Sequence, residues 1–284
     1  MVNSAFRAYP DDVKVSVVMP AFNAAKTIAQ SIRSVLSQTH PHWELLVVDD
    51  GSTDQTQAAV EAFLPDARVR MLKTPGRCGP AQARNLAISH ATGRLVAFLD
   101  SDDLWLPEKL LKQIAFMNEQ RAVFSFTAYR KIDSSGRVGR ALIEVPKRVA
   151  YADLLKTNHI ACLTAMYDRE HFGLVAMPDM GRREDYRLWL NFLRDRVVHE
   201  DYGLWLHLLR RKSSNNAGSR GGAHGLNEPL ALYRVGQQSL SSNKLAAATS
   251  QWLVYRNVER LSVLLSLYYF CHYAIRGLIK HKTR

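Results

Sequence analysis

The chain has 284 residues, enough for one large α/β domain with or without a C-terminal appendage; 47% are hydrophobic and 23% charged, which excludes wholesale disorder. Its 38 basic and 26 acidic residues leave a formal charge of +12, which suits a polyanionic partner: nucleic acid, an anionic membrane surface or a phosphorylated substrate. Cys78, Cys162 and Cys271 lie far apart with no CxxC pair, so neither a zinc site nor a disulfide framework is readable. No basic segment followed by a long apolar stretch opens the chain, and a reducing cytoplasmic location is expected.

Strand and helix signals alternate through the first half. Residues 15–19 form a β-branched run ending at Pro20, and Ile28, Ile32, Val35 and Leu36 then fall on one helical stripe. Residues 44–48 predict a second strand ending in Asp49-Asp50-Gly51. Ser52-Thr53-Asp54-Gln55 has the spacing of a capping box and predicts a helix through Leu64. A third strand at 69–73 precedes a Pro/Gly loop and a helix at about 79–90. A fourth, 95–99, runs into Asp100-Ser101-Asp102-Asp103. Four βα units of this kind imply a mainly parallel sheet covered by helices on both faces. Ligands of such sheets collect beyond the carboxyl ends of the strands.

The second half is less regular. Residues 123–129 and 161–167 read as strands, and 133–136 as a turn. Acid-led helices start at Glu184 and Glu200, where Glu184-Asp185-Tyr186 recurs as Glu200-Asp201-Tyr202. A polar, glycine-rich loop is expected over 212–225, a late strand over 229–235, and helix from Lys244 to about Ile279. The apolar stretch 261–275 is too short and too broken to span a bilayer. With Arg276, Lys280, Lys282 and Arg284 after it, it reads as an amphipathic helix for an anionic membrane surface, or as a helix packed on the main domain.

Several of these positions suit particular chemistry. A cation bridging two phosphates needs hard carboxylate oxygens held close together, and Asp100-Ser101-Asp102-Asp103 at a strand end supplies them; the same acids would also cap the next helix. Asp49 and Asp50 suit a base imide or a ribose hydroxyl, and equally a helix cap near Ser52. Arg77, Arg84 and Asn85 follow the third strand, where arginine would give charge-assisted bonds to a diphosphate. No GxxxxGK[ST] phosphate loop is present. Glu184-Asp185 complements a helix N-terminus, and its Asp also suits proton removal from a hydroxyl.

Together the stretches SVVMPAFN (16–23), LLVVDDGSTD (45–54), GRCGPAQARNLAI (76–88), GRLVAFLDSDDLWLPEKL (93–110) and EDYRLWL (184–190) resemble the inverting glycosyltransferases of family 2. NEPLALYRV (227–235) and SLSSNK (239–244) look like the later part of its bacterial cell-surface polysaccharide members. The resemblance implies a GT-A fold. It would comprise a catalytic domain over 1–243, with a nucleotide-binding half at about 13–110 and an acceptor half at about 111–243, and a helical, basic extension over 244–284. It further implies nucleotide contacts from Pro20, Ala21, Phe22, Asn23, Asp49, Asp50, Arg84, Asp100 and Ser101. Asp100 and Asp102 would hold Mn2+ or Mg2+, Asp102 most directly. The catalytic base would be Asp185 or, in the duplicated copy, Asp201. The implied donor is a nucleotide-sugar, most often UDP-linked, and the implied acceptor a glycan or glycolipid. No Q-x-x-R-W motif of the processive synthases is present, so transfer of a single sugar is expected. The alternatives are an impaired nucleotide-sugar-binding protein and a nucleotidyltransferase. Nucleic acid is not expected as a partner, because no recognised nucleic-acid module accompanies the charge.

Overall fold

A computed structural model describes residues 6–178, 183–194, 222–235 and 244–282. In chain order the strands are β1 (Val15–Ala21), β2 (Trp43–Asp49), β3 (Val69–Lys73), β4 (Leu95–Phe98), β5 (Leu104–Trp105), β6 (Phe124–Ile132), β7 (Val138–Ile143), β8 (Arg148–Val149), β9 (Met166–Asp168) and β10 (Ala223–Arg234). The helices are α1 (Ile28–Leu36), α2 (Thr56–Glu61), α3 (Pro80–His90), α4 (Lys109–Glu119), α5 (Tyr151–Lys156), α6 (Arg169–Phe172), α7 (Glu184–Leu193), α8 (Lys244–Leu253) and α9 (Val263–Lys282).

All the described strands join one mixed sheet, with β3-β2-β1-β4-β9-β6-β10-β5 as its path. The first four are parallel and in the expected places. Beyond them β9 runs antiparallel to both β4 and β6, and β10 returns parallel to β6. Period-two alternation divides the core between the two faces. Val17, Leu45, Val47 and Ala97 pack with Ile28, Ile32 and Val35 of α1. Val18, Leu46, Val48 and Phe98 pack with Ala83 and Ala87 of α3 and Trp189 of α7. Burial on both faces explains why these strands read as almost unbroken apolar runs.

Four expectations are corrected. The Ser52 capping box does not form: Ser52 Oγ accepts the Asn23 N–H at 3.0 Å, and α2 begins only at Thr56, whose N–H goes to Asp54 Oδ1 at 3.0 Å. The 161–167 run is not one strand but a 3-10 turn, Cys162–Thr164, followed by the short β9. The late strand begins at Ala223, inside the expected loop, and Pro229 sits at register shifts in β10, where a residue without an N–H is tolerated. The C-terminal helix is interrupted by a π-helical segment, Val254–Val258, and by Arg260 at φ 50. The second acidic copy, with Asp201 and most of the expected loop, lies outside the described residues.

The amino end of the sheet is locked by a buried carboxylate. Glu44 Oε1 accepts hydrogen bonds from Ser16 Oγ (2.5 Å), the Thr92 N–H (2.7 Å) and Thr92 Oγ (2.8 Å), and Oε2 meets Lys14 Nζ at 3.2 Å. Gly93 is required beside it, since a Cβ there would lie 2.7 Å from the Lys14 carbonyl oxygen. A cavity of about 630 Å³ opens at this end, lined by Trp43, Glu44, Arg68 and Arg70. It is remote from the polar carboxyl ends of the strands. Burial alone would raise the Glu44 carboxyl, but its hydrogen bonds outweigh that and hold it at about 2.

A carboxyl held below its ordinary value contributes stability that is present above about 4.5 and lost as pH falls toward 2. Glu44→Gln is therefore expected to lower unfolding stability at pH 7 by up to about 3 kcal/mol, with the difference shrinking on acidification. Urea unfolding across pH 2 to 7 measures it; equal stability at pH 7 would contradict the assignment.

Candidate active site

The loops leaving β1 and β2 are stapled to each other. The Asp50 N–H donates to the Ala21 carbonyl at 2.8 Å, and Asn23 Oδ1 accepts the Thr53 N–H at 2.9 Å. The Ala24 N–H reaches Thr56 Oγ1 (2.7 Å), and the Ala25 N–H reaches Asp54 Oδ2 (3.1 Å). These bonds hold Asn23 in the left-handed region at φ 48. Pro20 and Phe22 are half-buried, Ala21 is buried and Asn23 is exposed, so Pro20, Phe22 and Asn23 offer surface to a ligand.

Both acids after β2 are buried and occupied. Asp49 accepts the Ser52 N–H (3.2 Å) and Gln57 Nε2 (2.7 Å). Asp50 Oδ1 accepts the Cys78 N–H (2.8 Å) and the Thr74 hydroxyl (3.0 Å), and its Oδ2 accepts the Gly79 N–H (2.8 Å). Asp50 thereby fixes the β3–α3 loop, and a ligand reaching it would share the carboxylate with three donors. The loop lies so close to Gly51, at φ 72, that a Cβ there would stand 2.9 Å from the Arg77 nitrogen. Arg77 in turn crosses over the Phe22 ring, 4.2 Å from its centroid.

The three aspartates after β4 have different surroundings. Asp103 is buried; its Oδ1 accepts the Arg234 N–H at 2.7 Å, while Arg234 Nε donates to the Asp102 carbonyl at 2.7 Å and Nη2 to Gln30 Oε1 at 2.9 Å. Arg234, at the end of β10, is a bracing residue that composition and spacing did not reveal. Asp100 is half-buried and receives Arg84. Ser101 is half-buried within the turn. Asp102 is exposed, yet the protein around it and the Asp100 charge beside it raise its carboxyl to about 6. An acid that resists ionisation beside another acid is a place where a divalent cation would be welcome. Among the described residues no group of three or more ligating side chains occurs. Mg2+ and Mn2+ are often held by one or two carboxylates with substrate phosphates completing the shell, and Asp102 with Asp100 fits that donor set.

The acceptor side meets this cluster through Arg84. Its buried guanidinium donates from Nη2 to Asp100 Oδ1 at 2.6 Å and from Nη1 to Glu184 Oε1 at 3.4 Å. Burial opposes its charge, but the carboxylates outweigh burial and hold it protonated. Arg84, the expected diphosphate contact, thus bridges two carboxylates. Asp185 lies next along α7, close enough for Arg84 and Asp100 to act on its charge. Burial is the largest influence and raises its carboxyl to about 6. Cys162, from the 3-10 turn, sits among the same charged groups, its thiol pushed up mainly by burial; reading 161–167 as a strand concealed it. Arg183, in the left-handed region at φ 63, precedes the acidic pair and donates to the Tyr273 hydroxyl of α9 at 2.8 Å and to Gln251 of α8. Thus Arg84, Asp100, Asp102, Glu184 and Asp185 converge, while Asp49 and Asp50 accept hydrogen bonds that brace the neighbouring loops.

Ionised Asp185 costs the fold stability, because a folded-state value near 6 lies above the ordinary 3.8. The cost is absent below the ordinary value and complete above about 6. Asp185→Asn is expected to raise the thermal midpoint at pH 8 by several degrees, equivalent to about 2 kcal/mol, and to change it little at pH 4. An unchanged midpoint at pH 8 in a calorimetric scan would refute this account of the carboxyl.

The family model described as glycosyl transferase family 2 matches residues 16–173. The chain is 40% identical over 261 residues to the putative teichuronic acid biosynthesis glycosyltransferase TuaG of Bacillus subtilis, covering 92% of this chain and 94% of that one. It is 37% identical over 271 residues to the Escherichia coli UDP-Glc:alpha-D-GlcNAc-diphosphoundecaprenol beta-1,3-glucosyltransferase WfgD, covering 95% and 96%. Among solved structures it resembles Staphylococcus aureus TarS 1-349 in complex with UDP-GlcNAc, with TM-score 0.63 at 20% identity over 92% of this chain and 71% of that one. It also resembles the mannosyltransferase PcManGT of Pyrobaculum calidifontis in complex with GDP-Man and Mn2+, with TM-score 0.60 at 18% identity over 95% and 74%. These two likenesses concern the fold, which is GT-A. With the strand-end acids and the acidic helix in one site, the chain belongs to glycosyl transferase family 2.

Proposed function

We propose that this glycosyltransferase moves one sugar from a UDP-sugar to a hydroxyl of a lipid-linked glycan or surface polysaccharide, with inversion at the anomeric carbon and with Asp185 as base. The carrying observation is the Arg84 bridge, which joins the aspartate turn after β4 to the start of α7. Support for the substrate class comes from the similarity to TuaG and WfgD, one named for teichuronic acid synthesis and the other for a UDP-glucose donor and a diphosphoundecaprenol acceptor.

Phe22 and Arg77 would border the base, and Asp50 would hold the loop against the ribose. Asp102, assisted by Asp100, would hold the Mn2+ or Mg2+; when bound, such an ion supplies positive charge beside the departing diphosphate. Asp185 takes the proton of the acceptor hydroxyl as that oxygen forms a bond to the anomeric carbon. The bond from that carbon to the diphosphate oxygen breaks, and its electron pair leaves with UDP. A carboxylate near 6 remains ionised at pH 7 while being a stronger base than an ordinary aspartate. Arg84 keeps Asp100 and Glu184 compensated, so that Asp185 can carry its charge next to them. Asp201, outside the described residues, is the comparison residue for the base assignment.

Asp185→Asn is expected to lower kcat by about 10²–10⁴-fold, the ordinary contribution of a general base, with the donor KM nearly unchanged. Asp201→Asn is expected to retain most activity. Transfer assays with a panel of UDP-sugars and Mn2+ decide between them, and full activity in Asp185→Asn rejects that residue as base.

In the wild type, kcat/KM should fall tenfold per pH unit below about 6, as Asp185 becomes protonated, and level off above it. A profile flat from pH 5 to 8 would exclude a base with this character. Asp102→Asn is expected to abolish the extra thermal stabilisation that Mn2+ gives in the presence of UDP, a binding readout independent of turnover.

A further inference from the structure

Helix α9 turns one face toward the protein and another toward solvent. Ser266 and Tyr269 are buried, and Phe270 packs on Trp252 of α8 with ring centroids 5.6 Å apart. Outward, Leu264 is 78% exposed, Leu267 47%, Tyr268 51% and Ile275 55%, with Cys271 exposed between them. Their spacing of 3, 4, 7 and 11 from Leu264 is that of a single helical stripe, roughly 16 Å long at 1.5 Å per residue. Contiguous apolar surface of this kind on a soluble domain marks a contact face.

Charge selects the occupant. From Arg260 to Arg284 the chain has no Asp or Glu and includes Arg276, Lys280 and Lys282, and the whole chain is at +12. Two copies meeting through this helix would bring like charges together, whereas an anionic bilayer would neutralise them. Among the described residues no helix is long and apolar enough to cross a membrane, so the geometry is that of a helix lying in the interface. We propose that the Leu264–Leu267–Tyr268–Cys271–Ile275 face of α9 docks on a bilayer containing anionic phospholipid.

Docking here has a direct bearing on the site. Tyr273, on the same helix, accepts a hydrogen bond from Arg183 at 2.8 Å, and Arg183 immediately precedes Glu184 and Asp185. A docked α9 therefore holds the start of the base-bearing helix on its far side, about one helix diameter (roughly 10 Å) from the lipid surface. This deepens the proposed lipid-linked acceptor reading and rests on it for its purpose, but the docking itself is measurable without any sugar.

The test is flotation of the full chain with vesicles of phosphatidylcholine plus phosphatidylglycerol, against pure phosphatidylcholine. The wild type is expected to float with the anionic vesicles, less at high salt. The double variant L264E/L267E is expected to bind more than about tenfold more weakly at an unchanged melting temperature, since both residues are exposed. Its hydrolysis of UDP-sugar in solution should be unaffected, while transfer to a vesicle-embedded acceptor falls. Equal flotation of variant and wild type, or wild-type binding to neither vesicle, overturns the proposal. So does a wild-type dimer in sedimentation that the variant converts to monomer without change in flotation, which would make the face a contact between copies. Anionic flotation with no UDP-sugar turnover leaves the docking intact and refutes the proposed function instead.

Discussion

The architecture of the site turns on one buried guanidinium. Arg84 sits in α3, between β3 and β4 of the parallel half, but its two nitrogens reach Asp100 beyond β4 and Glu184 at the start of α7. Removing an arginine from water is expensive unless its charge is met, and the buried Glu184 carboxylate beside it would also be costly unpaired, whereas Asp100 is only half-buried. The arginine is therefore tolerable there only with its carboxylate partners. The two halves of the sheet share the bridge, and the spacing between the aspartate turn and the acidic helix follows from it rather than from the loops between them.

A second layer of bracing frees a few residues to face a ligand. Asp50 collects three loop donors and Asp103 collects the Arg234 backbone, so the most buried acids are those with structural partners. Burial and its aspartate neighbours raise Asp103 well above its ordinary value, and Asp102 and Asp185, which keep some surface, are raised to about 6. Functional sites commonly retain such unrelieved charge, at a cost to stability.

Much of this was legible in the chain. The four parallel strands announced themselves as β-branched runs ending in polar residues, and the α1 stripe of Ile28, Ile32 and Val35 is the buried face. Clustering of the strand-end acids followed from parallel topology alone. Other features were hidden because they depend on distant partners. Ser52 looked like a cap until Asn23, on another loop, claimed its hydroxyl. The run 161–167 is apolar enough for a strand, yet tertiary packing turns its first part into a 3-10 turn and places Cys162 among the charges. The carboxylate partners of Arg84 were hidden because they lie 16 and 100 positions away.

The position of Arg234 has a consequence for biogenesis. It closes the aspartate turn from 131 positions further along the chain, with its backbone N–H on Asp103. During synthesis the four parallel strands emerge first and can pair locally, but the acidic turn they present stays unbraced until β10 has left the ribosome. Contacts of such sequence separation form late, after the entropy of a long loop has been overcome. A nascent chain halted before β10 would hold most of the nucleotide-side scaffold with Asp100 met by Arg84 but Asp103 still without its Arg234 partner, a state prone to recruit chaperones or cations before the enzyme is complete.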